Sequence, residues 1–301
     1  MIKPAAFTSD GTVLRGALHL PDGPPSARYP AVVFCHGLGV LHEWVHPTAN
    51  VFTEAGVACL TYDTRGFGSS DGYPRQEADP WKILHDIRTA IDYLHTLPQV
   101  DTTRIGIWGT CFGGGPAMVA AAVDRRVKTL VVQVPLGSGG GLMKAILPPE
   151  ALAALGETLD ADRVAIISGL PRIALTQTSV DPAENALASD YETYSWMTEE
   201  AKKTPHWVNQ LTLQTVDRLL EWEPADYLPR VAPKPILLIV AKDDQICPEK
   251  DPVAAFERID GPKELLWLET GGHYGVYREH FEFVSGKARD WFARHLSVAD
   301  A

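Results

Sequence analysis

A thiol, a carboxylate and an imidazole follow one another along this chain in an order that suits the cleavage of an acyl bond. The thiol belongs to Cys111, the middle residue of a G-x-C-x-G pattern at residues 109–113. The pattern joins an apolar strand to a segment of small residues. So sharp a turn strains its middle residue and leaves no room for side chains two positions to either side. It also exposes the thiol at a helix N-terminus, where the macrodipole favours a thiolate.

The pattern alone does not identify a nucleophile, because glycine accounts for 25 of the 301 residues and an ordinary glycine turn around a buried cysteine would look the same. Partners must come from later in the chain. Asp243 and Asp244 both follow the apolar stretch 235–241. Asp244 lies three residues after the last small residue of that stretch and four before Pro248, so we assign it as the acid. We expect Asp243 to face solvent or to cap the turn.

The base is expected among ten histidines, of which His273 has distinctive surroundings. It directly follows Gly271 and Gly272 after a buried strand, in a loop that can hold an imidazole above the edge of a sheet. Successive parallel strands deliver thiol, acid and imidazole to one edge in this order. His36 is expected to brace its own loop. The histidines that we assign to the surface or to an inserted segment are His42, His46, His85, His95, His206, His280 and His295.

These assignments predict a specific chemistry. His273 takes the proton of Cys111, Asp244 fixes the imidazole tautomer, and the thiolate attacks an acyl carbon. The resulting oxyanion needs hydrogen-bond donors, which backbone N–H groups at two turns are positioned to supply. They belong to Phe112, directly after the thiol, and to Leu38, after the His-Gly turn that ends the first parallel strand. We expect neither a metal nor a cofactor.

Apolar strands alternate with helical spacing along most of the chain, which predicts an α/β fold with a mostly parallel sheet and helices on both faces. An opening hairpin at residues 4–20 is expected to add antiparallel edge strands. Apolar positions from Asp79 to Leu97 recur at helical spacing and stop before Pro98. Buried parallel strands are predicted directly before Cys111 and at residues 31–35, 57–62, 127–134, 235–241 and 265–268.

The alternation of buried strands and helices is interrupted once, where about 95 residues separate two consecutive buried strands. An unstructured stretch of that length is improbable in a compact domain, and residues 142–159 and 190–221 carry helical spacing and aromatic residues. We therefore predict a helical cap over the site, whose aromatic residues either line an apolar pocket or pack the cap itself. The predicted organisation is a first core part at 1–136, the cap at 137–230 and a second core part at 231–301.

The composition excludes several other classes of protein. With 45% hydrophobic and 22% charged residues, the chain can fill one large α/β core and is neither fibrous nor disordered. A formal charge of −11 without a basic block argues against a nucleic-acid partner. No apolar run reaches the roughly 18 residues of a membrane span and no secretory signal is recognisable, so we expect a cytoplasmic protein without a membrane partner. The four cysteines lack C-x-x-C spacing, which favours a reducing compartment without zinc or disulfides.

Five motifs together resemble those of the α/β-hydrolase superfamily. They are the turn around Cys111, His-Gly-Leu-Gly at 36–39, Asp-Thr-Arg-Gly-Phe-Gly-Ser-Ser at 63–70, Lys-Asp-Asp at 242–244 and Gly-Gly-His at 271–273. The cysteine resembles that of dienelactone hydrolases, which are shorter and lack a cap of this size. The hairpin and long cap are more similar to polyketide thiohydrolases and polyketide transferases. Serine is common at this turn in that group, which leaves open whether Cys111 is native or replaces a serine.

The resemblance implies an acyl-transfer enzyme that cleaves a thioester or ester through an acyl-cysteine. It would release the acyl group, for instance a polyketide chain, to water or to a hydroxyl as an ester or lactone. Its partner would be a small acyl substrate, free or bound to coenzyme A or a carrier. Three alternatives stay open: a dienelactone-type carboxylic ester hydrolase, a non-catalytic ligand receptor on a hydrolase scaffold, and a cap-bearing aminopeptidase, which a thiol suits poorly. The intact acid, imidazole and oxyanion loop count against the receptor.

Overall fold

The computed structural model describes residues 1–24, 26–184 and 186–297, which form the following elements. The strands are β1 (Ile2–Ser9), β2 (Thr12–His19), β3 (Tyr29–Cys35), β4 (Ala58–Tyr62), β5 (Val100–Thr110), β6 (Val127–Gln133), β7 (Ala174–Thr178), β8 (Ala186–Ala188), β9 (Gln210–Thr212), β10 (Ile236–Ala241) and β11 (Lys263–Leu268). The α-helices are α1 (His46–Glu54), α2 (Pro80–His95), α3 (Gly114–Val123), α4 (Gly139–Ile146), α5 (Pro149–Ile167), α6 (Tyr191–Ala201), α7 (Leu213–Leu220), α8 (Lys250–Glu257) and α9 (Phe281–His295). Short 3₁₀ helices cover His42–Val45, Cys111–Gly113, Pro224–Val231 and Tyr274–Tyr277.

Eight of these strands form one sheet in the order β1-β2-β4-β3-β5-β6-β10-β11. The hairpin β1-β2 is antiparallel and pairs antiparallel with β4, whereas all the other neighbours in the sheet pair parallel. Parallel neighbours need long crossovers, which the helices between them provide. The predicted α/β class, including its antiparallel edge hairpin, is confirmed.

The sheet directs alternate side chains into two cores, one on each face. In β3, Val33 packs into the core that contains residues of α2 and α3. Its neighbours Val32 and Phe34 pack into the opposite core with residues of α1 and α9. Strands buried on both faces need apolar residues at every position, which explains their continuous apolar sequences.

The helix α2 shows how local signals set the ends of these elements. The carboxylate of Asp79 accepts hydrogen bonds from the backbone N–H groups of Trp81 and Lys82, at 3.1 and 3.3 Å, and Pro80 occupies the first helical position. The helix ends at His95, within the predicted range, before Pro98 interrupts the pattern. Its apolar face buries Ile83, Leu84, Ile87 and Ile91 against the sheet.

The segment between β6 and β10 contains α4 to α7 and a second, three-stranded sheet in the order β8-β7-β9. The sequence predicts only helices here, because strands of three to five residues are too short to establish a period. Part of the segment has a core of its own, built by Met143, Leu159, Leu175, Leu213 and Val216. The end of the segment, Pro224–Val231, packs into the core of the main sheet. We propose residues 137–230 as the cap.

The direction of the strands positions the candidate functional residues. Because β3, β5, β10 and β11 run the same way, their carboxyl ends meet at one edge of the sheet. The loops after these strands carry residues 36–38, Cys111, Asp244 and His273. In the described part of the chain, no helix combines the length and hydropathy that a membrane crossing requires.

Candidate active site

Cys111 lies at the turn between β5 and α3, in left-handed backbone with a φ of 54°. A Cβ atom on Gly109 would lie 2.6 Å from the Cβ of Ala117. One on Gly113 would lie 2.3 Å from the carbonyl oxygen of His36. Both glycines are therefore required by close approach of other atoms, and together they allow the strained turn that presents the thiol.

Asp244 and His273 form a buried pair beside this thiol. The Oδ2 atom of Asp244 lies 2.8 Å from the Nδ1 atom of His273, and the two residues are only 3% and 2% exposed. The Oδ1 atom accepts hydrogen bonds from the N–H groups of Ile246 and Cys247, at 2.9 and 2.8 Å, which hold the carboxylate in place. The neighbouring Asp243 is exposed, with a φ of 57°. The structure therefore brings together the acid, base and thiol assigned from the sequence, while their catalytic roles stay a prediction.

A second thiol, which the sequence analysis does not single out, belongs to Cys247. It lies 4% exposed, with its Sγ atom 3.8 Å from the Sγ atom of Cys111, to which it donates a hydrogen bond. The two sulfurs and a ring nitrogen of His273 all lie within 4.8 Å of one another. The sequence does not predict this contact, since 136 positions separate the two cysteines.

The pKa values of this group point to an ion pair. The hydrogen bond from Cys247 holds the pKa of Cys111 well below its ordinary value, against the effect of burial. The positive charge of His273 and the N–H group of Phe112 lower that pKa further. Burial lowers the pKa of the His273 imidazole, but the negative charges of Cys111 and Asp244 outweigh burial and raise it to about 10. These shifts favour a Cys111 thiolate beside a His273 imidazolium at neutral pH.

The pKa of the second thiol shifts in the opposite direction. Burial, together with the hydrogen bond to Cys111, raises the pKa of Cys247 well above its ordinary value. This residue therefore keeps its proton and remains a donor at neutral pH.

The loop after β3 borders the thiol on the other side. A Cβ atom on Gly37 would lie 3.7 Å from the Sγ atom of Cys111, so the peptide that carries the Leu38 N–H runs alongside this thiol. Both Leu38 and Phe112 line the cavity above Cys111. The backbone groups assigned as oxyanion donors thus lie near the thiol, and their role stays a prediction.

Side chains of the cap hold this loop. The amide of Gln177, on β7, donates a hydrogen bond to the carbonyl oxygen of Leu38 at 2.7 Å. The indole of Trp207 donates one to the carbonyl oxygen of Gly39 at 2.9 Å. Neither contact is predicted from the sequence, because the cap gives no pattern that would pair its residues with the core.

A cavity of about 800 Å³ lies over Cys111, between the core loops and the cap. This volume is in the usual range for small-molecule sites, and apolar side chains dominate the walls. Of the cap aromatics, Trp196 and Tyr191 line the cavity. Trp222 instead packs edge-on against Trp81, with ring centroids 4.8 Å apart. Trp196 and Tyr191 thus line the predicted apolar pocket, whereas Trp222 packs against the core and not within the cap.

His36 braces its loop as predicted, with its Nε2 atom 2.9 Å from the carbonyl oxygen of Tyr62. The assignment of His42 to the surface or the cap is wrong, since this core residue is 8% exposed. Its backbone N–H donates to the Oδ1 atom of Asp63 at 2.9 Å, because the loop after β3 folds back over the end of β4. His46 is half-buried, with its Nε2 atom 3.1 Å from the Nδ1 atom of His42.

Residues 27–277 match the family described as serine aminopeptidase, S33. The chain belongs to this α/β-hydrolase family. The matched range includes the turn at Cys111, the acid and the histidine. The description names serine, so the thiol of this hydrolase departs from it.

Relatives of this hydrolase indicate the class of enzyme to which it belongs. It is 33% identical over 280 residues to thiohydrolase aneE of Aspergillus aculeatus, a match that covers 90% of this chain and 85% of the relative. It is 29% identical over 292 residues to polyketide transferase grgF of a Penicillium species, covering 96% and 95%. The crystal structure of the α/β hydrolase GrgF from Penicillium superposes with a TM-score of 0.84 at 27% identity, covering 99% of this chain and 100% of that one. This hydrolase is therefore an enzyme of the hydrolase or acyltransferase kind.

Proposed function

We propose that this enzyme cleaves a thioester or ester through an acyl-Cys111 intermediate and hands the acyl group to water or to a hydroxyl. The observation that carries the proposal is the geometry of the Cys111–His273 pair: Asp244 holds His273 at 2.8 Å, and both members of the pair line an apolar cavity. An ion pair of this kind supplies both a nucleophile and a proton donor at neutral pH.

The first half of the reaction forms the acyl-enzyme. The Cys111 thiolate attacks the acyl carbon, a C–S bond forms, and the carbonyl electron pair moves to oxygen, where the N–H groups of Leu38 and Phe112 stabilise it. The tetrahedral intermediate then collapses and expels the leaving group, which takes the proton of the His273 imidazolium. Asp244 stays ionised and fixes the ring so that its Nε2 atom faces the reacting groups.

The second half returns the enzyme to its starting state. The neutral imidazole of His273 removes a proton from water or from a hydroxyl, whose oxygen attacks the acyl carbon of the thioester. The second tetrahedral intermediate expels the Cys111 thiolate beside the newly formed imidazolium. Water gives a free acid, an external alcohol gives an ester, and a hydroxyl on the acyl chain itself gives a lactone.

A sulfur nucleophile favours thioesters over amides. Exchange of one thioester for another is nearly balanced in energy, whereas an amine leaves far less readily than a thiolate, so attack on an amide returns to substrate. A site covered by the cap also excludes water, which raises the share of acyl groups that reach a bound hydroxyl. We therefore expect thioester turnover to exceed amide turnover and hydroxyacyl substrates to give some ester or lactone.

The chemistry of the cavity suggests an acyl chain with a substantial apolar part as substrate. The names of the relatives, a thiohydrolase and a polyketide transferase, support a polyketide chain carried on coenzyme A or a carrier protein. A net charge of −11 disfavours nucleic acid as a partner. All four cysteines are free thiols, which suits a reducing cytoplasm.

The test is covalent trapping with hydroxyacyl thioesters of several chain lengths. Intact-protein mass should show one added acyl group, and peptide mapping should locate it on Cys111. Cys111→Ala should form no adduct and lose roughly 10⁴- to 10⁶-fold in kcat. Cys59→Ser, a substitution at a buried thiol that bonds only backbone carbonyls among the described residues, is the matched control and should keep both adduct and turnover.

Two results would contradict the proposal. A Cys111→Ala variant active within tenfold of the parent would remove the nucleophile assignment, and a parent that neither turns over nor acylates would favour the receptor. The ratio of lactone or ester to free acid, measured in the same incubations, tests the acceptor. Free acid alone at every chain length would leave only hydrolysis.

A further inference from the structure

Two thiols and an imidazole meet at the floor of the cavity, although the acyl-transfer steps use only one of the thiols. Cys247 lies on the loop after β10 and is almost fully buried, with its Sγ atom 3.8 Å from that of Cys111. One ligand atom from each of Cys111, Cys247 and His273 lies within 4.8 Å of the other two. This donor set is the one that holds catalytic zinc in Cys₂His sites, where a fourth position stays open.

The distance between the sulfurs distinguishes a metal site from a disulfide. Two thiolates bound tetrahedrally to one zinc at about 2.3 Å lie about 3.8 Å apart. A disulfide would need the same atoms at about 2.05 Å, so both side chains would have to move. The observed 3.8 Å matches the spacing of two zinc-bound sulfurs.

The surroundings of His273 also suit a metal ligand. Its Nδ1 atom is occupied by Asp244 at 2.8 Å, which leaves Nε2 as the free ring nitrogen. The other carboxylate oxygen is held by two backbone N–H groups, so the imidazole has a fixed orientation. A carboxylate that orients a ligating histidine in this way is the usual outer partner of a zinc site.

We propose that Cys111, Cys247 and His273 form a reversible binding site for Zn²⁺, with the fourth tetrahedral position open to the cavity. Binding replaces the proton of the Cys247 thiol and the proton on the Nε2 atom of the His273 imidazolium, so two protons leave for each ion that binds. Two thiolates then balance the charge of the ion. The metal occupies the lone pairs that acylation needs, so the bound enzyme is inactive. This inhibition rests on the proposed function, whereas the binding does not.

Cobalt(II) tests the binding without any substrate, because thiolate ligands give it a charge-transfer absorption and a tetrahedral site gives it intense visible bands. The reduced, metal-free protein should bind one Co²⁺ with both features, and Zn²⁺ should displace it. Cys247→Ser should weaken binding at least tenfold and reduce the charge-transfer band, as should Cys111→Ser. Cys59→Ser should match the parent.

Turnover gives the second readout. Saturating Zn²⁺ should lower parent turnover at least tenfold and a chelator should restore it, while Cys247→Ser should retain most of its own turnover in Zn²⁺. Absence of thiolate bands, or equal metal affinity in Cys247→Ser, would overturn the site. A metal-free parent that forms no acyl adduct would refute the proposed function, and the cobalt spectrum would still decide the site.

Discussion

The side-chain amide of Gln177 donates a hydrogen bond to the carbonyl oxygen of Leu38 across the boundary between cap and core, at 2.7 Å. Gln177 is 4% exposed, and Trp207 makes the equivalent bond to the next carbonyl, that of Gly39. The N–H group assigned to the oxyanion lies on Leu38 itself. The geometry of this donor therefore depends on residues far away in the sequence.

Gln177 is a positioning residue, and its removal should lower kcat with little effect on KM. Gln177→Ala frees the Leu38 carbonyl, and we expect a loss of about tenfold to a hundredfold, below the 10²- to 10³-fold typical of deleting an oxyanion donor outright. Steady-state kinetics with a thioester measure the split. Gln210→Ala, at an exposed position on the neighbouring strand, is the control. Equal kcat values in Gln177→Ala and the parent would show that the loop holds its shape without this hydrogen bond.

The two adjacent carboxylates should respond very differently to the same substitution. Asp244→Asn removes the charge that orients His273 and should cost about 10⁴-fold in kcat, by analogy with other triads. Asp243→Asn alters an exposed side chain and should stay near the parent. Comparison of kcat for the two variants, with circular dichroism as a check on folding, decides the assignment. Similar losses would mean that the acid has been misassigned.

The thiolate–imidazolium pair predicts a broad pH optimum for kcat/KM. The pKa of Cys111 lies well below the ordinary thiol value of 9.0. As the pH falls through this lowered pKa, the thiolate is protonated and kcat/KM falls. As pH rises past about 10, His273 loses the proton that it gives to the leaving group. Cys247→Ala removes the largest contribution to the low pKa of Cys111 and should move the acid limb to higher pH. An acid limb at the position of a free thiol in the parent would rule out the ion pair.

A second prediction of pH dependence concerns stability and the histidines behind the oxyanion loop. Burial and then the neighbouring His46 lower the pKa of His19 to about 4, and burial and then His42 lower that of His46 to about 4. The unfolded chain takes up protons near 6.5, whereas the folded protein resists them until about 4. The contribution of these two histidines to stability should therefore be constant above about pH 6.5 and should fall as the pH drops toward 4.

Urea denaturation midpoints across this range measure the effect. His46→Gln removes one of the groups that resist protonation and should flatten the dependence on pH, whereas His85→Gln, at an exposed position on α2, should leave it unchanged. The opposite slope, with greater stability in acid, would mean that these histidines are charged in the folded protein.

The parts of the site that could be predicted are those that local geometry constrains. Two glycines flank Cys111 and two precede His273. Glycine is required at these positions because side chains there would meet other atoms or because the backbone has a positive φ, so the sequence pattern identifies both turns. The spacing of Asp244 after an apolar strand predicts the carboxylate. The chain order then follows from the parallel sheet.

The remaining contacts could not be predicted, because they depend on how distant segments meet. Cys247 reaches Cys111 through the order β5-β6-β10 in the sheet, and no spacing between two cysteines encodes that order. Gln177 lies on a five-residue strand within the cap, where neither period nor composition distinguishes it from its neighbours. The prediction for His42 is wrong for the same reason, since burial of a loop residue depends on which segments fold over it.

Tryptophan side chains also pack against one another at the boundary between cap and core. Trp44 of the core lies 5.3 Å from Trp196 and 5.8 Å from Trp207 of the cap, measured between ring centroids, and Trp196 stacks obliquely on Tyr277 at 5.0 Å. Indole emission depends on the polarity around the ring, and Trp44 is 9% exposed. Intrinsic tryptophan fluorescence should therefore report on the position of the cap without an added label. A ligand that separates cap from core admits water to these rings and shifts their emission to longer wavelength.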